Sequence, residues 1–146
     1  MDMKGAVTKA GLERKTEAAG GYFDDQGHLK IEYVSKGNVD VMARKFDREG
    51  LNMSQLRRFF NHCREIERRL RSQQTTWEEE RTNVAKLAAF AADAAGKKKI
   101  PSSFREFLDK NVERSRTQKD FLDGFMEHFE ALVGFSALYM REERTR

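Results

Sequence analysis

Arginine is concentrated in one short part of this sequence. Sixteen arginines occur in 146 residues, and six of them fall between positions 57 and 71. The guanidinium group is planar, stays charged, donates paired hydrogen bonds to phosphate oxygens and stacks on nucleobases. A cluster of this residue type therefore favours binding to an anionic polymer over covalent chemistry. The cluster comprises Arg57, Arg58, Arg64, Arg68, Arg69 and Arg71.

The net charge of the chain is distributed in the same way. The 28 basic and 24 acidic residues give a formal net charge of +4. Residues 1–50 carry nine of each sign, residues 51–100 carry eleven basic and six acidic groups, and residues 101–146 carry eight and nine. Because the whole excess lies in the middle third, we expect a local anion-binding face on an otherwise balanced surface.

Hydrophobic periodicity places the arginine cluster on a helix. Apolar residues recur at helical spacing from Leu56 to Leu70 and predict a buried face. Four arginines lie beside that face within about 60° of one another on the helical wheel, namely Arg57, Arg64, Arg68 and Arg71. The alternative is a solvated helix face with ion pairs such as Glu65 to Arg69. The wheel alone leaves both readings open.

A stripe of acidic residues follows near the C-terminus, at Asp120, Asp123, Glu127 and Glu130. Carboxylates at this spacing could hold a metal or act as acid and base, but the sequence lacks the Glu-x-x-His pairs on facing helices that a two-metal bundle requires. A solvated face is favoured, or a surface that meets the arginines of another subunit in a head-to-tail contact.

Other catalytic patterns are missing from the sequence. The three histidines are scattered without zinc-ligand spacing, and the single cysteine, Cys63, lies on the apolar face of its helix, which predicts a buried structural thiol. There is no glycine-rich phosphate loop and no nucleophile elbow. We therefore expect a binding module with no catalytic residue, no metal and no cofactor.

The composition predicts a soluble, cytoplasmic protein. Hydrophobic residues make up 38% of the chain, the mean hydropathy is −0.80, and no stretch approaches the roughly 18 apolar residues of a membrane span. Residues 1–11 lack the apolar region of a secretory signal, and one cysteine cannot form an internal disulfide.

The predicted elements form a single all-α domain, a bundle of about five helices over residues 22–146. Residues 1–21 are polar and glycine-rich and predict a flexible N-terminal arm. Alternating apolar residues within 22–34 indicate a possible small hairpin. The helices are predicted over about 39–49, 53–72, 76–96, from 101 onward, and 117–139.

The octapeptide Met53-Ser-Gln-Leu-Arg-Arg-Phe-Phe60 resembles the small helical subunit of type III-A CRISPR interference (Csm) complexes. Three further segments resemble that family in the expected order, and the resemblance covers about 22–139. These segments are Tyr22-Phe-Asp-Asp-Gln-Gly-His-Leu29, the alanine-rich Lys86 to Gly96, and Phe125-Met-Glu-His-Phe-Glu-Ala-Leu-Val-Gly-Phe135.

The resemblance implies a non-catalytic, all-helical subunit present in several copies, which form a filament beside the RNA-bearing backbone and contact the duplex of guide RNA and target RNA. The implied partners are the large subunit, the RNA-binding backbone subunits and further copies of this chain, with no membrane. The alternative is a helical protein-interaction bundle that acts as an assembly scaffold without direct RNA contact.

The resemblance also implies RNA-binding residues. Arg57 and Arg58 match the basic pair of the family motif, whereas Arg64 and Arg68 join them through the helical wheel alone. The run from Lys97 to Lys99 resembles the basic exit from the alanine-rich helix. The predicted RNA contacts are Arg57, Arg58, Arg64, Arg68, Lys97 and Lys98.

Overall fold

This computed structural model describes residues 21–142, and five α-helices contain more than half of these residues. The described part contains no strand, so the predicted all-α class is confirmed. Apart from Gly21, the predicted N-terminal arm lies outside the described residues. The helices are α1 (Val41–Arg48), α2 (Met53–Arg71), α3 (Trp77–Gly96), α4 (Ser102–Arg114) and α5 (Met126–Ser136).

Single π-helical turns lead into α1 and α5. These turns cover Lys36–Asp40 and Asp120–Phe125, and the junction residues keep right-handed helical dihedrals. The predicted first helix, over 39–49, begins inside the first of these turns. The predicted fifth helix, over 117–139, contains the second turn and all of α5.

Side-chain caps fix where α2 and α3 begin. The Asn52 side chain accepts a hydrogen bond of 2.9 Å from the backbone N–H of Gln55. Thr76 and Glu79 form a reciprocal capping box at the start of α3. Each cap satisfies backbone donors that the first helical turn leaves without an intrahelical partner, which is why both predicted starts agree with the structure.

Phenylalanine rings fill the core between the helices. Phe104 on α4 is fully buried and lies edge-on to Phe46 of α1 and Phe59 of α2, with ring centroids 5.4 Å and 5.8 Å away. It also packs against Phe107 and, on α5, Phe129. Because edge-to-face pairs add about 0.5–1.5 kcal/mol beyond area burial, this cluster holds four helices around one centre.

The possible small hairpin predicted before α1 is present only as a short antiparallel contact. One isolated antiparallel bridge joins Phe23 to Leu29, and residues Ile31–Tyr33 form a 3₁₀ turn where alternation predicts a strand. The turn brings Tyr33 into the core, where its ring lies 5.0 Å from that of Tyr22. A two-stranded ribbon is marginal in water, so insertion of these two tyrosines outweighs further pairing.

A buried ion pair sets the relation of α2 to α3. Arg69 Nε lies 2.6 Å from Glu80 Oε2, and the Glu80 side chain is only 2% exposed. Thr75 and Asn83 donate further hydrogen bonds to the same carboxylate. These donors, with Arg69 foremost, lower the pKa of Glu80 to about 2. Arg69 therefore ties α2 to α3 through Glu80, while 30% of its own side chain remains exposed.

Candidate nucleic-acid interface

The arginine stripe of α2 and the acidic stripe near the C-terminus face each other within one chain, because α2 packs against α5. Arg64 Nη1 lies 3.9 Å from Glu130 Oε2, and Arg71 Nη2 lies 3.9 Å from Asp123 Oδ1. The two stripes therefore meet within one chain. A head-to-tail contact between copies, which the sequence suggests, is not needed to pair these opposite charges. Their side chains remain about half exposed.

The arginine face, defined as Arg57, Arg64, Arg68 and Arg71, is paired throughout. The described partners of these arginines are Glu65, Glu67, Asp123, Glu130 and Glu142. Desolvation, with the neighbouring Glu130 and Glu67, raises the pKa of Glu127, which lies on the same side of the bundle. Five carboxylates against four arginines leave this surface without excess positive charge.

A second group of cations has a different environment. We call Arg48, Arg58, Lys97, Lys98 and Lys99 the basic end, because they come from the end of α1, the first turns of α2 and the exit of α3. Lys97 pairs with Asp93 at 3.2 Å. Within residues 21–142, no carboxylate lies within 4.0 Å of the charged atoms of Arg48, Arg58, Lys98 or Lys99, all of which are exposed. These four cations therefore have no direct ion-pair partner among the described residues.

The backbone at the exit of α3 is unusual for a lysine. Lys98 has φ 61°, in the left-handed region that favours glycine. Hydrogen bonds from Lys99 N to the Ala94 carbonyl oxygen (2.8 Å) and from Lys98 N to that of Ala95 (3.0 Å) close a Schellman motif. A left-handed non-glycine residue costs about 1 kcal/mol. Lys98 is thus held in a strained conformation beside two other lysines.

A groove of about 300 Å³ lies between α2 and α3 at the basic end. Arg58 and Lys99 line it, together with the aromatic ring of Phe90, which is 47% exposed. The His62 ring stands edge-on to Phe90, with the centroids 5.4 Å apart. His62 Nε2 lies 3.0 Å from the Asn83 carbonyl oxygen, and because a carbonyl oxygen only accepts, Nε2 carries the proton in this contact.

Lys99 also lines a shallower depression of about 640 Å³, which extends from the groove towards α1 and α4. Arg48 and Lys98 lie on its wall. The groove and the depression therefore adjoin at Lys99, and Glu49 is the one acidic side chain on the lining of the depression.

The six predicted RNA contacts separate into two groups in the structure. Arg58, Lys97 and Lys98 lie at the basic end, whereas Arg57, Arg64 and Arg68 lie on the arginine face. Sequence reasoning did not select Phe90, His62 or Arg48. The only signal for Phe90 was one large aromatic residue within an alanine-rich stretch.

Two side chains that could take part in chemistry, a thiol and an imidazole, are buried. Cys63 lies in the core, and burial raises the pKa of its thiol far above the ordinary range, which disfavours a reactive thiolate. His128 is buried, and desolvation lowers its pKa to about 4. Over residues 21–142, no three His, Cys, Asp or Glu side chains are placed to hold a metal ion. The helices of that same range include none long and apolar enough to cross a membrane.

Comparison with known proteins identifies the family. The profile of the family described as Csm2 Type III-A matches residues 32–142, which is well over half of the chain and includes all five helices. Neither a curated protein nor a solved structure gives a significant match. The chain therefore belongs to the Csm2 family and is a small subunit of the type III-A CRISPR complex.

Proposed function

We propose that this subunit contacts the duplex of guide RNA and target RNA in the type III-A effector complex through the basic end. The observation that carries the proposal is the group of four exposed cations with no carboxylate partner among the described residues. Phosphate contacts supply most of the affinity of proteins that do not read sequence. In RNA-guided complexes base pairing reads the sequence, so the protein needs only positioned positive charge.

The proposed role is non-catalytic and depends on repetition. One copy with two or three phosphate contacts has a log-log salt slope of roughly −2 to −3 and binds weakly alone. Several copies in a filament would raise the effective concentration of each contact. The partners in this proposal are guide and target RNA, the large subunit, the RNA-binding backbone subunits and further copies of this chain, in the cytoplasm.

The arginine face has a secondary part in this proposal. Before Arg57, Arg64 or Arg68 could bind a phosphate, each would have to exchange a carboxylate partner, and the acidic side chains would remain nearby. Exposed ion pairs are individually weak, about 0–1 kcal/mol. The lasting obstacle is therefore that the displaced carboxylates remain close to the bound phosphate and repel it.

An assembly scaffold without RNA contact is the second candidate function. Val41 and Leu138 are 61% and 73% exposed and are accessible to a partner. These residues, with the charge-balanced arginine face, are compatible with contact to another protein. This candidate predicts that neutralising the basic end leaves RNA binding unchanged.

Matched charge-removal variants in the reconstituted complex separate the two candidates. Arg58→Ala/Lys98→Ala/Lys99→Ala removes three cations from the basic end, and Arg64→Ala/Arg68→Ala/Arg71→Ala removes three from the arginine face. The first variant should weaken target-RNA binding by at least about tenfold at 150 mM salt and flatten the salt dependence. The second should change binding by less than about twofold. If both variants assemble fully and bind target RNA like the native complex, the result would favour an assembly scaffold without RNA contact.

A further inference from the structure

Phe90 is the feature of the basic end that phosphate binding does not explain. A single exposed apolar residue is ordinary on a protein surface, but Phe90 lies in a concave groove whose rim carries Arg58 and Lys99. An aromatic face beside cations is the arrangement that proteins use to bind unstacked bases of single-stranded RNA.

The surroundings of Phe90 keep its ring uncovered. Its neighbours along α3 include Ala89, Ala91 and Ala94, which are too small to shield it, while the edge-on contact with His62 supports it from one side. A groove of about 300 Å³ lies at the small end of the size range of ligand pockets. A groove of this volume can hold one nucleotide but is too small for a helix or a strand of another protein.

The polar groups of the groove fit a nucleotide as well. Arg58 and Lys99 supply positive charge for a phosphate, and the Oε1 atom of Gln55 is a buried acceptor without a hydrogen-bond partner in the described structure. Asp93, the one acidic side chain on the lining, is paired with Lys97 at 3.2 Å. Its charge is therefore partly offset.

We propose that this groove binds one unpaired nucleotide of an RNA strand, with the base against Phe90 and a neighbouring phosphate between Arg58 and Lys99. The adjoining depression, lined by Lys98 and Arg48, gives the next phosphates of the strand a basic path. That continuity favours an RNA strand over a free mononucleotide. The inference rests on the proposed function, because that function places RNA at the basic end. It adds that one nucleotide of the bound RNA is unpaired and that its base, not only its phosphate, is bound.

The test compares two hexanucleotide probes on the full chain: single-stranded RNA, and the same sugar-phosphate backbone with every base removed. The native chain should bind the base-carrying probe at least about fivefold more tightly, which corresponds to stacking of one base. Phe90→Ala should abolish this preference and keep the salt dependence. Arg58→Ala should reduce binding of both probes and keep the preference. Phe90→Leu, which retains apolar volume without a ring, should behave like Phe90→Ala and controls for a folding defect.

The outcomes separate this inference from the proposed function. Equal binding of both probes by the native chain, or an unchanged preference in both Phe90 variants, would overturn base binding while leaving phosphate contact intact. Two results together would contradict both the inference and the proposed function. The isolated chain would bind neither probe, and the complex carrying Arg58→Ala/Lys98→Ala/Lys99→Ala would keep its target-RNA affinity. A concentration-dependent mass in sedimentation that Phe90→Ala abolishes would show that a second copy covers Phe90, which also contradicts the inference.

Discussion

Arg57 and Arg58 are adjacent in sequence, yet their side chains lie in opposite electrostatic environments. Arg57 Nη1 donates to Glu142 Oε2 at 2.9 Å. Arg58 lines the groove with Lys99 and has no carboxylate within 4.0 Å in the described part of the chain. Successive residues of a helix point about 100° apart, so one residue step separates the paired arginine face from the basic end.

Single substitutions at these two positions should therefore differ in effect. Arg58→Ala should weaken target-RNA binding by the reconstituted complex and reduce the log-log salt slope by roughly 1 per engaged copy. Arg57→Ala should leave the slope unchanged, because its charge is already offset. Titrations at four salt concentrations measure both slopes. A larger loss of slope for Arg57→Ala would contradict the assignment.

Lys98→Gly should raise stability while lowering RNA affinity. Glycine adopts the left-handed conformation without strain, so the free energy of unfolding should rise by about 0.5–1 kcal/mol. Removal of the ammonium group should weaken RNA binding. Gln73, with φ 63° after α2, is the matched control. Gln73→Gly should give a similar gain in denaturant unfolding without an effect on RNA, whereas equal RNA affinity for both variants would contradict the role of Lys98.

The Arg69–Glu80 pair should be essential to the packing of α2 on α3. Arg69→Ala leaves a carboxylate that is 2% exposed without its main partner, and breaking a buried pair in this way costs about 3–5 kcal/mol. Arg68→Ala, which removes an exposed pair with Glu65, should cost less than about 1 kcal/mol. Urea unfolding of the two variants provides the comparison. Equal losses would show that burial of Glu80 is not decisive.

Alanine substitutions at Gly124 and Gly134 should change the stability of the fold in opposite directions. A Cβ at Gly124 would lie 2.5 Å from the ring of Tyr22, which donates a hydrogen bond of 2.6 Å to Asn111 Oδ1 and is held in the core. Gly124→Ala should therefore destabilise the fold by about 1–3 kcal/mol. At Gly134 nothing lies within 4 Å of a Cβ, so Gly134→Ala should stabilise α5 by about 0.5–1 kcal/mol. Thermal unfolding distinguishes the two signs.

Acidification should destabilise the fold through His128. Its Nδ1 lies 2.6 Å from the Tyr33 carbonyl oxygen, and burial lowers its pKa to about 4 from an ordinary 6.5. The unfolded chain therefore takes up a proton between these pH values when the folded chain does not. The free energy of unfolding should fall by about 1.5 kcal/mol from pH 6.5 to pH 5, above the range in which Glu80 protonates.

His128→Asn provides the control for that pH dependence, because asparagine does not titrate. The variant should be less stable throughout and should lack the loss between pH 6.5 and pH 5. Denaturant unfolding at several pH values measures the difference. An equal pH slope in the native chain and in His128→Asn would contradict the assignment to His128.

Much of the helical fold was predictable because its signals are local. The caps at Asn52 and Thr76 and the apolar face of α2 depend on residues a few positions apart. The 3₁₀ turn at Ile31–Tyr33 was not predicted, since it depends on tyrosines entering a core built by distant helices.

The candidate site was predictable only in part. The excess of cations is a property of composition, but which of them stay unpaired depends on how helices pack. Arg71 meets Asp123 because α2 lies beside the C-terminal elements, which no periodicity reveals. Phe90 has helical spacing compatible with the core, and its exposure follows from small neighbours and the crossing of α2 and α3.

Ultraviolet crosslinking of the complex assembled with guide and target RNA tests the central claim most directly. Crosslinked peptides identified by mass spectrometry should come from the basic end and its groove, within residues 55–62 and 90–99. They should disappear in the Arg58→Ala/Lys98→Ala/Lys99→Ala variant. Crosslinks confined to residues 64–71, or none from this subunit in a complex that binds target RNA, would contradict the claim.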